Sequence, residues 1–143
     1  MMKNLDYSGL IGLNAVVQKE IERSDTAAHY GEGDFPNLLA TPAYVALLIK
    51  ASTEVVNGKL EDNLTSVGKA MSFVHHQPTQ VGLMVSVKAT LERTQGRTLF
   101  FRIEAYDEIG PIGNGYHERL VVNRDALEHR VKERMSGIAW HGK

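Results

Sequence analysis

Residues 82–94 alternate between apolar and polar positions. Leu83, Val85, Val87, Ala89 and Leu91 fall on one side, and Met84, Ser86, Lys88, Thr90 and Glu92 on the other. Residues 97–107 repeat the pattern, with Leu99, Phe101, Ile103 and Ala105 against Thr98, Phe100, Arg102, Glu104 and Tyr106. A period of two puts one face of each segment on a core and predicts strands. Gln95-Gly96 between them reads as a tight hairpin turn. The segment DEIGP, Asp107 to Pro111, turns the chain again, and residues 112–122 form the last strand. Residues 65–76 form another, ending in the adjacent pair His75-His76. Residues 12–23 alternate imperfectly, with Val17, Lys19 and Ile21 on one face, and predict a first strand.

The helical signal is different in kind. Thr41-Pro42 opens a helix, because threonine is a good N-cap and proline is favoured at the first helical position. It runs to about Val56 and stops at Asn57-Gly58. Ala43, Val45, Ala46, Leu47, Leu48, Ile49, Ala51, Val55 and Val56 cover most of its circumference, which predicts burial nearly all round. Residues 24–40 hold the turn-formers GEGD and Pro36 and predict a long mobile loop of the kind that serves as a lid. Asn123 caps a final helix with Leu127, Val131 and Met135 on one stripe. A buried helix followed by long antiparallel strands requires a sheet that curls around it. The expected fold class is therefore α+β, an antiparallel sheet around one long helix. Its edge strands predict a dimer at least.

The bulk numbers narrow the function. A chain of 143 residues is read as one domain, 1–143. Net charge is −1, without the basic surplus of a nucleic-acid binder. There is no cysteine, which excludes disulfides, thiolate zinc sites and cysteine nucleophiles. No apolar run approaches the ~20 residues that span a bilayer. The N-terminal MMKNLDYSGLIGLNAVV lacks the pattern of a signal peptide. A cytoplasmic protein without a membrane or nucleic-acid partner is the expectation.

Three places carry candidate chemistry. Thr41 lies at a helix start, where unpaired N–H groups suit an oxygen that turns negative during acyl transfer. Its hydroxyl either caps the helix or holds or replaces a water. His75 and His76 point to opposite faces if the strand continues through both. One of them is then either an acid–base group or a half-exposed strand end. Metal binding is disfavoured, because His29, His117 and His129 are scattered and no second motif supplies converging ligands. Gly110, Gly113 and Gly115 lack the strand–loop–helix setting of a phosphate loop and instead suggest close backbone approach or a bulge.

The order DFPNLLATP, buried helix, SVGKAMSFVHH-x-PT-x-VG and GNGYHERLVV resembles the hot-dog thioesterases, most closely the fluoroacetyl-CoA thioesterase-like branch, over roughly residues 13–134. The resemblance implies a hot-dog fold, with the helix wrapped by the sheet, and a homodimer or a tetramer. It implies an acyl-CoA thioesterase, with coenzyme A as part of the substrate and no further cofactor. Position by position, Thr41 matches the active-site threonine and His75 the active-site histidine. Gly68 matches a glycine whose N–H lies against the thioester carbonyl, and Gly82 completes the spacing that selects His75. Phe35 matches a lid phenylalanine over the acyl pocket. The run His117–Arg119 matches a segment near the coenzyme A channel, with Arg119 as a binding residue. One position departs. The family's catalytic glutamate, eight residues after the threonine, is replaced by Ile49, which neither orients an imidazole nor stabilises its charge. Lys50, Thr53 and Glu54 are poor substitutes by angle or charge. Two readings follow: a thioesterase in which His75 and Thr41 direct water onto a small acyl thioester, and a non-catalytic hot-dog protein that binds acyl-CoA or another small apolar ligand. A hot-dog dehydratase ranks third, since it too requires a carboxylate across the cavity.

Overall fold

A computed structural model describes residues 5–139. Five strands, β1 (Asn14–Glu20), β2 (Leu64–His75), β3 (Met84–Gln95), β4 (Thr98–Tyr106) and β5 (Pro111–Asn123), form one antiparallel sheet in the order β1-β3-β4-β5-β2. Three helices, α1 (Ala27–Tyr30), α2 (Thr41–Val55) and α3 (Arg124–Ala139), complete the chain. The alternation read from the sequence is obeyed. Val85, Val87, Ala89 and Leu91 of β3 and Leu99, Phe101, Ile103 and Ala105 of β4 are buried, while their neighbours face outward or are half-buried. α2 lies across this apolar face, chiefly against β3 and β1.

Several expectations need correction. Ala40, not Thr41, is the N-cap of α2, and no side chain caps it there. Thr41 is already helical, which frees its hydroxyl for another partner. α2 is not buried all round, since Pro42, Ala46, Lys50 and Glu54 form an exposed stripe at a spacing of four. Of that stripe only Ala46 is among the apolar positions read from the sequence, so the sequence reading overstated the burial by one narrow face. The hairpin turn between β3 and β4 is Gly96-Arg97, one residue beyond the expected pair.

Residues 24–40 are not an open loop. Glu22 and Asp25 form a reciprocal capping box around a short 3-10 turn, Arg23–Asp25, and Asp25 is buried. Thr26 Oγ1 then caps α1. Leu39 and Leu38 make isolated bridges to Thr26 and Gln80. Local side-chain capping and these bridges satisfy much of the backbone; residues 28–37 are exposed, the first three of them on α1. In the last helix, Asn123 Oδ1 accepts from the Ala126 N–H at 3.0 Å, as its sequence position suggested. Of the stripe on α3, Leu127 is half-buried, while Val131 and Met135 are exposed.

Gly113 on β5 shows why a glycine is needed inside the sheet. A Cβ there would fall onto the Tyr44 hydroxyl and the Val74 carbonyl oxygen, both closer than atoms tolerate. Tyr44 is fully buried and donates its hydroxyl proton to Val74 O at 2.7 Å. Gly113→Ala should therefore break that hydrogen bond or shift β5, at a cost of about 2–4 kcal/mol from overpacking and the lost bond. Urea denaturation checks this, and a midpoint equal to wild type would show that the sheet absorbs the methyl group.

Candidate active site

The first turn of α2 and the last residue of β2 meet. Thr41 Oγ1 lies 2.9 Å from His75 Nδ1. Tyr44, one turn along α2, lies parallel to the imidazole, with ring centroids 4.3 Å apart and planes 13° from parallel. The tyrosine hydroxyl is tied to Val74 O, the residue just before His75. Helix and strand are thus clamped together by adjacent side chains. Tyr44 acts as a fixed platform, because burial pushes its phenol up to about 12 and keeps it neutral. His76, by contrast, is exposed, and its backbone N–H donates to Ile112 O.

The environment of His75 favours the neutral ring. Burial lowers its pKa, a nearby Glu32 carboxylate works against that, and His76 adds to the lowering. Nε2 is buried without a hydrogen-bond partner among the described residues. Thr41, Val45, Ile49 and Thr53 share one half-buried stripe of α2. A residue at 49 therefore lies on the helix face that begins with Thr41, and isoleucine brings no acceptor to it. The start of α2 is held by an acid from outside the helix: the Thr41 N–H donates to Glu32 Oε1 at 2.8 Å.

Gly68 is not at this place within the chain. It precedes His75 by seven residues on the same strand, roughly 20 Å at ~3.3 Å per residue. It belongs to a second cluster, at a bulge of β2 between Gly68 and Ala70, opposite Arg119 on β5. Arg119 is buried; Nε donates to Ser66 Oγ at 2.8 Å and Nη2 to Ser66 O at 2.9 Å. His117 lies between, with Nδ1 2.9 Å from Ala70 O and Nε2 3.1 Å from Arg119 Nη1. A carbonyl only accepts and a guanidinium only donates, so His117 is the neutral tautomer with its proton on Nδ1. Its pKa is lowered by burial, and the guanidinium charge pushes the same way. A Cβ on Gly68 would stand 3.6 Å from both Arg119 Nη1 and His117 Cε1, ordinary contact.

The two remaining candidates are separate again. Phe35 is 61% exposed on the 31–37 segment. Gly82 has φ +98°, and its N–H donates to Ile21 O at 2.9 Å. A side chain would be strained in that backbone conformation, so the local geometry accounts for glycine there as a turn residue. No group of three or more metal-ligating side chains converges among the described residues, and no helix is long and apolar enough to cross a membrane.

Two participants escaped the sequence reading. Tyr44 carried a weak signal, as an aromatic three residues after Thr41 and hence on the same face. Glu32 carried none, because its contact with Thr41 forms only when the loop folds back.

Comparison with known proteins decides the family. A family model described as fluoroacetyl-CoA-specific thioesterase matches residues 21–125. The chain belongs to the fluoroacetyl-CoA-specific thioesterase family. A family relative, the fluoroacetyl-CoA thioesterase of Streptantibioticus cattleyicolor, is 34% identical over 101 residues, covering 71% of this chain and 73% of the relative. Among solved structures, a hot-dog-like protein from Thermanaerovibrio acidaminovorans superposes with a TM-score of 0.84 at 27% identity, over 97% of this chain and 100% of that one. A fluoroacetyl-CoA thioesterase structure gives 0.79 at 30% identity, over 86% and 95%. The α+β architecture described above is thus the hot-dog fold.

Burial of His75 and His117 makes stability depend on pH in a defined direction. Both folded pKa values lie below the ordinary 6.5, so on acidification the unfolded chain takes up these protons first. Their contribution is complete above about pH 6.5, is lost as pH falls through the folded values, and then levels off. Thermal unfolding followed by circular dichroism should give a lower Tm at about pH 5.5 than at about pH 7.5, and a Tm that rises on acidification would contradict neutral burial of both rings.

Proposed function

We propose that the protein is an acyl-CoA thioesterase that hydrolyses a small acyl thioester with water, using His75 and Thr41. The observation that carries this reading is the 2.9 Å contact between Thr41 Oγ1 and His75 Nδ1 at the helix start, in a chain of this thioesterase family. Related structures were solved with acetyl-CoA and with fluoroacetate and CoA, which supports a coenzyme A thioester as the substrate class.

In this mechanism Nδ1 is the base. The Thr41 hydroxyl donates to Nδ1 and accepts from a water, which attacks the thioester carbonyl carbon. The water proton passes to Oγ1 as the hydroxyl proton passes to Nδ1. The carbonyl oxygen becomes an oxyanion, and its collapse breaks the C–S bond. The leaving thiolate takes the proton from the imidazolium, giving free coenzyme A and the carboxylic acid. A neutral, partly desolvated imidazole suits the first step, because it is ready to accept a proton at neutral pH.

Gly68 enters this scheme through a second copy. β2 is an edge strand with an unpaired side, and it exposes Phe73 and Val74. An antiparallel pairing of two β2 strands centred between Met71 and Ser72 sets Gly68 of the partner subunit opposite His75. Its N–H would then face the oxyanion, and the same pairing would cover the exposed edge. A homodimer is the minimal assembly on this reading. Phe35 would lie over the acyl group, and Arg119 would serve coenzyme A by its positive potential near the bulge. No further cofactor is required.

A second reading, a non-catalytic binder of acyl-CoA or another small apolar ligand, is favoured by Ile49 and by the unpartnered Nε2 of His75. Hydrolysis of an acyl-CoA panel with detection of the free thiol separates the two. His75→Ala should lower turnover by about 100-fold or more, while His76→Ala should stay within about twofold, as expected for an exposed side chain that leaves the machinery untouched. Equal losses in folded variants would refute the assignment of the two rings. Ile49→Glu would place an acceptor on the Thr41 face of α2 and should raise kcat by about tenfold; no change over several substrates would favour the binding reading.

A further inference from the structure

We propose that Glu32 is the carboxylate that serves the Thr41–His75 pair, delivered by the loop before α2 and not by the helix itself. This rests on the thioesterase reading of the same site. Glu32 follows Gly31, the C-cap of α1, and its own N–H donates to Ala27 O at 2.9 Å. That anchored turn carries the side chain back to the start of α2, where Oε1 accepts the Thr41 N–H at 2.8 Å. The helix end concentrates partial positive charge there, so a carboxylate is stabilised where it sits.

The groups around His75 come from three places. α2 supplies Thr41 and Tyr44, both neutral; β2 leads into His76; the loop supplies Glu32. Glu32 is the acid whose charge favours the protonated ring, opposing burial and His76. When a proton arrives on Nδ1, the imidazolium forms within the field of the Glu32 carboxylate, which is bonded to the Thr41 N–H and not to the ring. The same carboxylate holds the Thr41 backbone, which fixes the side chain that faces Nδ1. Glu32 is thus a positioning residue that acts through Thr41 and His75, not a group that touches substrate. Its side chain is exposed to solvent, so screening keeps the effect moderate.

A plain helix cap would make the same hydrogen bond, and Glu32→Gln separates the two roles. Glutamine keeps an acceptor for the Thr41 N–H and removes the charge. The expected results are a loss of about tenfold in kcat on acetyl-CoA and a shift to lower pH of the acid limb of kcat/KM. The NMR titration of His75 should shift the same way, its signal assigned by disappearance in His75→Gln. A His75 titration that stays in place in folded Glu32→Gln overturns the proposal and leaves Glu32 a cap. An unchanged rate and acid limb with active wild type also overturns it. If the wild type cleaves no thioester, the thioesterase reading fails and the catalytic part of this proposal with it. The NMR shift still decides whether the carboxylate acts on the ring.

Discussion

The site depends on one contact: the first turn of a buried helix touching the last residue of an edge strand. Thr41 and His75 are 34 residues apart in sequence, and their 2.9 Å approach exists because the sheet curls around α2. Tyr44 makes that approach rigid. It stacks on the imidazole and bonds the carbonyl of the preceding residue, so the ring cannot turn without disturbing the helix. Gly113 leaves the space in which the tyrosine hydroxyl sits. A position on β5 therefore controls the placement of a ring on β2.

Two polar clusters of the described residues sit in different electrostatic settings. At the helix start, burial lowers the pKa of the His75 imidazole, and the Glu32 carboxylate works against that lowering. Under the β2 bulge, Arg119 and His117 are buried and hydrogen-bonded to Ser66, to the Ala70 carbonyl and to each other, with the Glu118 carboxylate near enough to favour a charged His117. A buried cation held by neutral acceptors keeps much of its field for whatever approaches the bulge.

Ile49 stands where the family resemblance places a carboxylate, and the chain keeps the hot-dog fold with isoleucine there. The isoleucine is half-buried on the stripe that starts at Thr41, where a charged group would need partners. A carboxylate in the loop at the helix N-terminus sits where the dipole already favours it. Its cost of desolvation is small because it remains exposed. In the proposed role, a carboxylate on the exposed loop acts on the ring through a weaker, screened interaction than a buried one would.

Much of this was legible in the chain. Strict alternation in β3 and β4 determined which residues face the helix, since a pleated strand leaves no other choice. Thr41-Pro42 marked the helix start to within one residue, and Asn123 marked the last cap. The spacing of Thr41, His75 and Gly68 within a family pattern selected the candidate site. What the sequence could not carry was anything that depends on chain reversal. The capping box and bridges that order residues 24–40, the platform made by Tyr44, and the return of Glu32 to the Thr41 N–H each join positions through three-dimensional packing. The separation of Gly68 from His75 within one chain, by contrast, follows from the strand read over residues 65–76, because an extended strand sets residues seven apart roughly 20 Å from each other. Local periodicity fixes which way a side chain points; only the folded backbone fixes what it points at.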